Sequence, residues 1–418
     1  MPAPPRPPAH PDAGRLALCL SGGGLRAALF HLGAVRRLAE RGLLARLDLV
    51  SAVSGGAILA AFLADRLRPW PDAGAGLDTD LFDAVVADPF RALAASNLRR
   101  GLALRALLHG SLVEGMRALY GRRLSARGLD ALPERPRFVF NATDLNFGTN
   151  WVFERDRVGS DRAGYASPQH PGGSARWTVA RAVAASACFP PLFRPMRLRF
   201  APERLRGVRR WTARYTELAA RIDLTDGGLY DNLGLQPALS ARHTVLLVSD
   251  GGAPFRRLAT RGRAGELVRY AEILQGQVGV LRRAHLLAAL RQGRRRGAYW
   301  GIGGASAGGD EALDGYSDAL AAEVLAGIRT DLDGFSDAER AVLENHGYAR
   351  CEAALRTSLP DLDGGEAPFR LPFPEWADEL RVRHALRHSA RRRLVGRRFP
   401  PPRPAPPFLM TDFLSDGT

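Results

Sequence analysis

The chain has 418 residues, of which 46% are hydrophobic and 24% are charged. This composition excludes a disordered or membrane-spanning chain and is ample for one large domain or two ordinary ones. The formal net charge is +16, carried by arginine alone because the sequence contains no lysine, and so basic a surface attracts anionic membranes, nucleic acids or acidic substrates.

The N-terminal part of the chain alternates between strand and helix patterns. Residues 1–14 are proline-rich without an apolar core, so we expect a disordered arm. Short apolar runs predict buried strands at residues 15–20 and 47–53, and helical apolar spacing predicts helices at residues 25–41 and 57–66. Strand–helix–strand–helix order predicts an α/β fold, a three-layer α/β/α sandwich around a mostly parallel sheet.

The remainder of the chain is more helical. Residues 67–131 are arginine-rich and predict a helical insertion, a candidate lid. Ser336 and Glu339 have the spacing of a capping box at the start of a helix. The main domain is expected to span residues 15–360, and the Pro/Arg-rich residues 361–418 are expected to form a flexible tail. Further strands are predicted at 138–143, 150–153, 221–224, 244–249 and 298–302, and further helices at 177–188, 265–292, 314–332 and 336–355.

The sequence shows no pattern for a metal, a disulfide framework or an export signal. Its three cysteines, Cys19, Cys188 and Cys351, are odd in number and widely spaced, unlike a disulfide framework or a zinc site. The N-terminus lacks the apolar core of a secretory signal, and the longest uncharged stretch, residues 49–64, is too short to span a bilayer. We therefore expect a cytoplasmic protein without a metal or cofactor.

Gly22, Gly23 and Gly24 lie between the first predicted strand and helix. Glycines there expose backbone N–H groups at a helix N-terminus, which suits a phosphate or the oxyanion of acyl transfer. A P-loop would need a lysine, and a dinucleotide fingerprint would need an acidic residue after the second strand, where residues 51–56 have none. The oxyanion is therefore the favoured ligand, and a glycine turn without any ligand is the alternative.

Ser54 follows the second predicted strand in the sequence Ala-Val-Ser-Gly-Gly. This is close to the Gly-x-Ser-x-Gly nucleophile elbow, in which a sharp turn presents the serine hydroxyl above the sheet edge. Ala52 departs from that pattern, and at a position of positive φ it would cost about 1–2 kcal/mol. Ser21 is a rival nucleophile without such a frame of small residues.

A nucleophilic serine needs a base. Asp226 and Asp250 each follow a predicted strand and precede Gly-Gly, which places both where ligands bind in open α/β sheets. The pattern alone does not separate the two. Histidines after Asp226 precede a strand, lie in helical stretches or fall in the basic tail: His243, His285, His346, His384 and His388.

These motifs together resemble the patatin-like phospholipase family. The resemblance rests on the glycine turn with the trailing Arg26, the elbow at Ser54, and the sequence Asp-Gly-Gly-Leu-Tyr-Asp-Asn from Asp226, in the family's order. It covers roughly residues 15–255, including the Ala/Ser-rich stretch 182–191 that ends in prolines. The resemblance implies a Ser–Asp dyad without histidine, with Ser54 as nucleophile and Asp226 as base, and makes Asp250 structural.

The same resemblance implies an oxyanion hole. The N–H groups of Gly22, Gly23 and Gly24 would hold the oxyanion, and Arg26 would fix the loop or steady the oxyanion. The implied activity is lipid acyl hydrolysis of the phospholipase A or lysophospholipase kind, through an acyl-enzyme. A catalytically silent lipid-binding scaffold and an acyltransferase are the alternatives, and a nucleotide-binding module is the most distant one.

The expected partners are a lipid or phospholipid substrate and, through the charge excess, the surface of an anionic membrane. Arginine runs at residues 204–210, 291–296 and 391–398 are not interleaved with aromatic residues, so we expect no nucleic-acid partner. The run in the expected tail, residues 391–398, is the predicted membrane contact. Nothing in the sequence sets the oligomeric state.

Overall fold

Among the described residues of this computed structural model, ten strands form one central sheet. The structure describes residues 15–71, 77–109, 111–169, 177–207, 213–240, 245–252, 262–303, 315–362, 367–389, 393–394 and 397–398. The sheet strands are β1 (Leu16–Leu20), β2 (Leu47–Val53), β3 (Arg137–Asp144), β4 (Thr149–Phe153), β5 (Val158–Ser160), β6 (Gly164–Ala166), β7 (Met196–Arg199), β8 (Arg221–Asp226), β9 (Val245–Asp250) and β10 (Arg296–Gly301). Two further short strands, β11 (Arg393–Leu394) and β12 (Arg397–Arg398), pair with each other.

Helices connect and cover these strands. The N-terminal half contains α1 (Gly24–Glu40), α2 (Gly55–Arg66), α3 (Thr79–Phe82), α4 (Asp88–Ala95), α5 (Leu98–His109), α6 (Leu112–Arg123) and α7 (Val179–Ser186). The C-terminal half contains α8 (Ala213–Ala220), α9 (Gly228–Asp231), α10 (Leu235–Ser240), α11 (Gly262–Arg291), α12 (Asp318–Leu320), α13 (Asp337–Ser358) and α14 (Glu379–Leu386).

The central sheet is mostly parallel, as predicted. Five strands run parallel in the order β10-β9-β1-β2-β3. Beyond β3 the sheet continues antiparallel through β4, β5 and β6. The strand β8 pairs antiparallel with both β3 and β7.

Alternate residues of the central strands face two separate hydrophobic cores. Leu16, Leu18 and Leu20 of β1 pack in the larger core with α1 and α2. Ala17 and Cys19 of the same strand pack in a smaller core with α10 and the C-terminal end of α11. Since side chains alternate along a strand, a strand buried at every position needs cover on both faces. The helices on both sides of the sheet provide that cover and complete the three-layer α/β/α sandwich.

The helix α1 is buried on all sides because α13 crosses it on the face away from the sheet. All residues from 25 to 39 are buried. A Cβ at Gly33 would collide with the Glu344 carbonyl of α13, and a Cβ at Gly347 would collide with the Phe30 carbonyl of α1. The two helix backbones are therefore in direct contact, and this contact holds the N-terminus of α1 in place at the sheet edge.

The strands β2 and β8 approach each other along one edge of β3. β2 pairs in parallel with β3 and ends with Val53 opposite Asn141. β8 pairs antiparallel with β3 and ends with Asp226 opposite Ala142. The carboxyl ends of the two strands therefore meet at adjacent residues of β3, which brings Ser54 and Asp226 to the same point.

The predicted elements of the sheet core are confirmed to within a few residues, but the helix predicted at residues 314–332 is wrong. In the described part of that segment only α12 and a π-helical turn at Ala321–Leu325 are helical. The chain then runs irregularly to α13, and Arg26 donates hydrogen bonds to the carbonyl oxygens of Ala326 and Ile328. The apolar spacing of this segment comes from anchor residues of a loop that is packed over the start of α1.

The flexible tail predicted for residues 361–418 is wrong for residues 367–389. Val382 and Leu386 of α14 are buried, and Arg37 donates hydrogen bonds to the carbonyl oxygens of Ala367 at 2.8 Å and Pro368 at 3.3 Å. These contacts fix the segment to the domain. The arm predicted for residues 1–14 and half of the basic run at residues 391–398 lie outside the described residues.

Candidate active site

Ser54 occupies the turn between β2 and α2 with a backbone conformation that few residues adopt. Its φ of 49° and ψ of −111° make it the one non-glycine residue with positive φ in the described part of the chain. Such a conformation costs on the order of 1–3 kcal/mol and persists only where the surroundings impose it. Here the glycine loop imposes the conformation, because the turn is packed directly against it. The packing is so close that a Cβ at Gly55 would collide with the Gly24 carbonyl.

Ala52 does not share this strain. It lies within β2, opposite Leu20 of β1 and Phe140 of β3, and its φ is not positive. The penalty considered for an alanine here therefore does not arise. The position is fully buried between two strands, and a small side chain satisfies it.

Asp226 ends β8 as a buried carboxylate beside Ser54. Burial raises its pKa to about 6, against the opposing effect of hydrogen bonds from the Gly228 N–H and the Ser54 side chain. The Gly228 N–H donates to Oδ1 at 2.8 Å, and the Thr143 hydroxyl donates to the backbone carbonyl of Asp226 at 2.8 Å. The carboxylate is therefore fixed in place while its pKa lies near neutrality.

Ser186, at the end of α7, connects the elbow to the aspartate strand. Its hydroxyl oxygen accepts a hydrogen bond from the Ser54 N–H at 2.8 Å, and its carbonyl oxygen accepts one from the Gly227 N–H at 3.2 Å. Sequence reasoning does not single out Ser186, because a serine in an alanine-rich helix has no distinguishing spacing. Its one available signal is its position shortly before Pro190 and Pro191, which end that stretch.

Asp250 has the same sequence context as Asp226 but different surroundings. Arg283 donates to its Oδ2 from Nε at 3.0 Å and Nη2 at 2.7 Å, and the Tyr299 hydroxyl donates to the same oxygen at 2.8 Å. Burial alone would raise the pKa of Asp250, but the Arg283 charge and the Tyr299 hydrogen bond bring it below its usual value. Asp250 is thus a carboxylate paired with Arg283, and this pair holds α11 to the sheet.

The glycine loop reaches Ser54, but not every N–H group in it is available. The Gly22 N–H donates to the Asn232 carbonyl at 3.1 Å, so the expectation that Gly22 holds an oxyanion is wrong. A Cβ at Gly22 would lie 3.2 Å from the Ser54 Cβ, which shows how closely the loop and the serine approach. Among the described residues, the N–H groups of Gly23 and Gly24 have no hydrogen-bond acceptor.

The rival nucleophile Ser21 and two buried histidines, His31 and His346, make other contacts. Ser21 is fully buried, and its hydroxyl accepts a hydrogen bond from the Gly251 N–H at 2.8 Å. His31 bonds to the Ser249 hydroxyl at 2.7 Å and the Ser21 carbonyl at 3.0 Å, and burial lowers its pKa to about 4. His346 bonds to a carbonyl oxygen at 3.1 Å, and burial lowers its pKa to about 3.

Comparison with known proteins decides the family. A family model described as patatin-like phospholipase matches residues 18–239, more than half of the chain. The chain belongs to the patatin-like phospholipase family. The matched residues include the glycine loop, Ser54 and Asp226, and lipid acyl hydrolysis is the general class of activity that this membership supports.

Several solved structures are similar to this patatin-like chain. Human GIVD cytosolic phospholipase A2 is 16% identical with a TM-score of 0.41, over 60% of this chain and 47% of that one. The same human enzyme in complex with methyl gamma-linolenyl fluorophosphonate is 15% identical with a TM-score of 0.46, over 84% and 59%. VipD from Legionella pneumophila is 14% identical with a TM-score of 0.35, over 83% and 67%. The chain spans less than half the length of the first of these, and no curated protein matches it significantly.

Arg26 was expected either to fix the loop or to steady the oxyanion, and its contacts favour the first role. Its side chain is buried, and Nη2 donates to the Gly251 carbonyl at 3.0 Å. Nη1 donates to the carbonyl oxygens of Ala326 at 3.1 Å and Ile328 at 3.0 Å. The guanidinium therefore ties the first turn of α1 to β9 and to the loop before α13.

Residues 67–131, predicted as a helical insertion, reach the patatin-like site through Tyr120. This side chain is fully buried on α6, where burial and the Asp226 charge raise its pKa. α6 also packs against α7, which carries Ser186. α6 thus lies beside the site, and the role of residues 67–131 as a lid stays a prediction.

The described residues contain neither a metal-binding cluster nor a membrane-spanning helix. No cluster of three or more His, Cys, Asp or Glu side chains suited to a metal ion occurs in the described ranges. No helix in those ranges combines the length and the apolarity needed to cross a bilayer.

Proposed function

We propose that this patatin-like phospholipase hydrolyses carboxylic ester bonds of lipids through a Ser54–Asp226 dyad and a covalent acyl-enzyme. The observation that carries the proposal is the meeting of a serine strained into an elbow with a buried carboxylate of pKa about 6. Neither feature helps the fold, since positive φ is strained for serine and burial disfavours a charged carboxylate. Such departures concentrate at functional sites.

In the first half-reaction, Asp226 accepts the proton of the Ser54 hydroxyl as Oγ attacks the ester carbonyl carbon. The carbonyl electron pair moves to the oxygen, and the N–H groups of Gly23 and Gly24 donate hydrogen bonds to that oxyanion at the positive end of α1. One such donor is worth about 3–4 kcal/mol in the transition state. Collapse of the intermediate expels the alcohol, which takes the proton from Asp226, and leaves the acyl group on Ser54.

The second half-reaction repeats the chemistry with water. Asp226 accepts a proton from a water molecule as its oxygen attacks the acyl carbon. Collapse releases the fatty acid, and the proton on Asp226 returns to the Ser54 Oγ. A base with a pKa near 6 suits both steps, because it is mostly ionised at neutral pH yet more basic than an ordinary aspartate.

Replacement of the nucleophile tests this proposal. Ser54→Ala is expected to abolish hydrolysis of a short p-nitrophenyl ester while the thermal unfolding midpoint stays at or near that of the wild type. Ser21→Ala is the matched control, because it removes the rival hydroxyl, and it is expected to keep hydrolysis wherever the variant is folded. Retention of more than about a tenth of the rate in folded Ser54→Ala, a barrier change below about 1.4 kcal/mol, contradicts the assignment.

A further inference from the structure

The helix α11 exposes a row of large apolar side chains. Six of them are more than a third exposed, from 37% for Ile273 to 68% for Leu274: Leu267, Tyr270, Ile273, Leu274, Val280 and Leu281. They recur at intervals of three, four or seven residues, which places them on one face of the helix. From Leu267 to Leu281 this apolar stripe is about 21 Å long at 1.5 Å per residue.

The other faces of this part of α11 are also poorly buried. None of the described side chains from Gly262 to His285 is fully buried, and the first that are belong to Leu286 and Ala289. A helix that served only the fold would turn its apolar face to the core. A contiguous apolar face turned to water instead marks an interaction surface.

The helix lies along the rim of the candidate active site. Gln275 donates a hydrogen bond to the Asn232 side-chain oxygen at 3.3 Å, and a Cβ at Gly228 would collide with the same Gln275 amide. The Gly228 N–H is the group that binds the Asp226 carboxylate. Gln275 of α11 therefore lies between the apolar stripe and Gly228, whose N–H binds the proposed base Asp226.

The stripe lies within a strongly basic segment of the chain. Residues 256–296 contain eleven arginines and two acidic residues, Glu266 and Glu272, so nine of the sixteen net positive charges fall in this segment. Apolar side chains flanked by arginine are the pattern of a helix that lies in the interface of an anionic membrane. A nucleic acid would not require the leucines, and a second copy of the chain would bring like charges together.

We infer that the apolar stripe of α11 is the surface by which the protein docks on an anionic lipid surface, with the active-site rim facing that surface. The inference rests on the proposed function, because it explains how an ester within a lipid aggregate reaches Ser54. It places the principal contact on α11 rather than on the arginine run at residues 391–398.

Three variants test this, two of them full-length and one shortened, each in the Ser54→Ala background so that the vesicles stay intact. The stripe variant carries Leu267→Gln, Leu274→Gln and Leu281→Gln. The matched control carries Leu104→Gln, Leu108→Gln and Leu380→Gln, three equally exposed leucines of α5 and α14. The third variant lacks residues 390–418. Flotation is measured with vesicles of phosphatidylcholine alone and with phosphatidylglycerol added, at low and high salt.

The stripe variant is expected to partition about tenfold more weakly onto the anionic vesicles, because three apolar side chains no longer leave water. The matched control and the shortened chain are expected to change less than about twofold. The wild type is expected to prefer anionic vesicles and to dissociate as salt rises. With the Ser54 hydroxyl restored, the stripe variant is expected to hydrolyse a monomeric ester at the normal rate.

Unchanged partitioning of the stripe variant overturns the inference, as does an equal loss in the matched control or the shortened chain. A dimer in the wild type that the stripe variant loses, with vesicle binding unaltered, also overturns it and assigns the face to a second copy. Failure of the wild type to hydrolyse the monomeric ester contradicts the proposed function, while the vesicle measurement still decides the docking surface.

Discussion

At the scale of single residues, Asp226 and Asp250 show how surroundings decide the behaviour of one residue type. Both end a strand and precede Gly-Gly. Burial raises the pKa of Asp226, and the hydrogen bonds from a backbone N–H and the Ser54 hydroxyl offset only part of that rise. Asp250 has Arg283 and Tyr299 as neighbours, and its pKa is lowered. The opposite pKa shifts of these two carboxylates distinguish the candidate base from the carboxylate of a structural ion pair.

This contrast predicts opposite effects on stability. Asp226 binds its proton more tightly in the folded state, so the stability linked to it is present at low pH and lost as pH rises from about 4 through about 6. Asp226→Asn is therefore expected to lose most esterase activity and to raise the free energy of unfolding at neutral pH by on the order of 2 kcal/mol. Chemical denaturation at neutral pH measures the change.

Asp250→Asn is the matched control. The lowered pKa means that the charged form contributes stability at neutral pH, which is lost as pH falls. Its replacement leaves Arg283 without its carboxylate and is expected to destabilise the protein by on the order of 2–3 kcal/mol. Greater loss of activity in folded Asp250→Asn than in Asp226→Asn would reverse the assignment of the base.

The raised pKa of Asp226 also predicts the pH profile. The dyad works with an ionised carboxylate, so kcat/KM for a neutral monomeric ester is expected to fall as pH drops below about 6 and to be level above it. The measurement is a pH–rate profile on folded protein. Full activity maintained down to about pH 4 would mean that an ordinary aspartate, and not this buried one, is the base.

At the scale of elements, the crossing of α1 and α13 positions the glycine loop. A methyl group at Gly347 collides with the Phe30 carbonyl, so Gly347→Ala is expected to force the helices apart and to destabilise the fold by about 2–3 kcal/mol. Gly279→Ala on α11 makes the same change where nothing lies within 4 Å, and is expected to be neutral or to stabilise by up to about 1 kcal/mol. The thermal unfolding midpoints of the two variants are compared. Equal midpoints would contradict the direct backbone contact between α1 and α13.

The elements that sequence patterns predict best are those with both faces buried. β1 and β2 follow from short apolar runs and the helices after them from helical apolar spacing, and the structure has all four within two residues of the predicted bounds. The segment at 314–332 misleads because its apolar residues anchor a loop, and its carbonyl oxygens bond to Arg26 rather than along a helix. The spacing of apolar residues alone does not distinguish a helix from a loop that apolar residues anchor to the core.

The candidate site was predictable in its residues and less so in its geometry. Asp226 was placed near Ser54 by analogy with parallel strands, yet β8 runs antiparallel to β3 and meets β2 head to head. Strand direction depends on long-range pairing that a local pattern does not contain. The bond from the Gly22 N–H to the Asn232 carbonyl, which removes one expected oxyanion donor, likewise joins segments about two hundred residues apart.

At the scale of the whole molecule, the site exists only when distant segments are assembled. The glycine loop, the elbow, the end of α7 and the end of β8 come from four separate parts of the first 230 residues. α11 adds the rim, and the segment around it, residues 256–296, carries nine of the sixteen net positive charges. The protein therefore has a candidate active site with a basic, apolar surface beside it. Because the site depends on the assembled fold, unfolding is expected to abolish reactivity at Ser54.

A tagged fluorophosphonate tests the central claim most directly, because it reacts with a serine only when the hydroxyl is activated. Labelling of the folded chain, followed by peptide mapping, is expected to place one adduct on Ser54. Labelling is expected to be absent from Ser54→Ala and from heat-unfolded protein, and strongly reduced in Asp226→Asn. No adduct on the folded wild type, or an adduct on another serine such as Ser21 or Ser186, would contradict the assignment of Ser54 as the nucleophile.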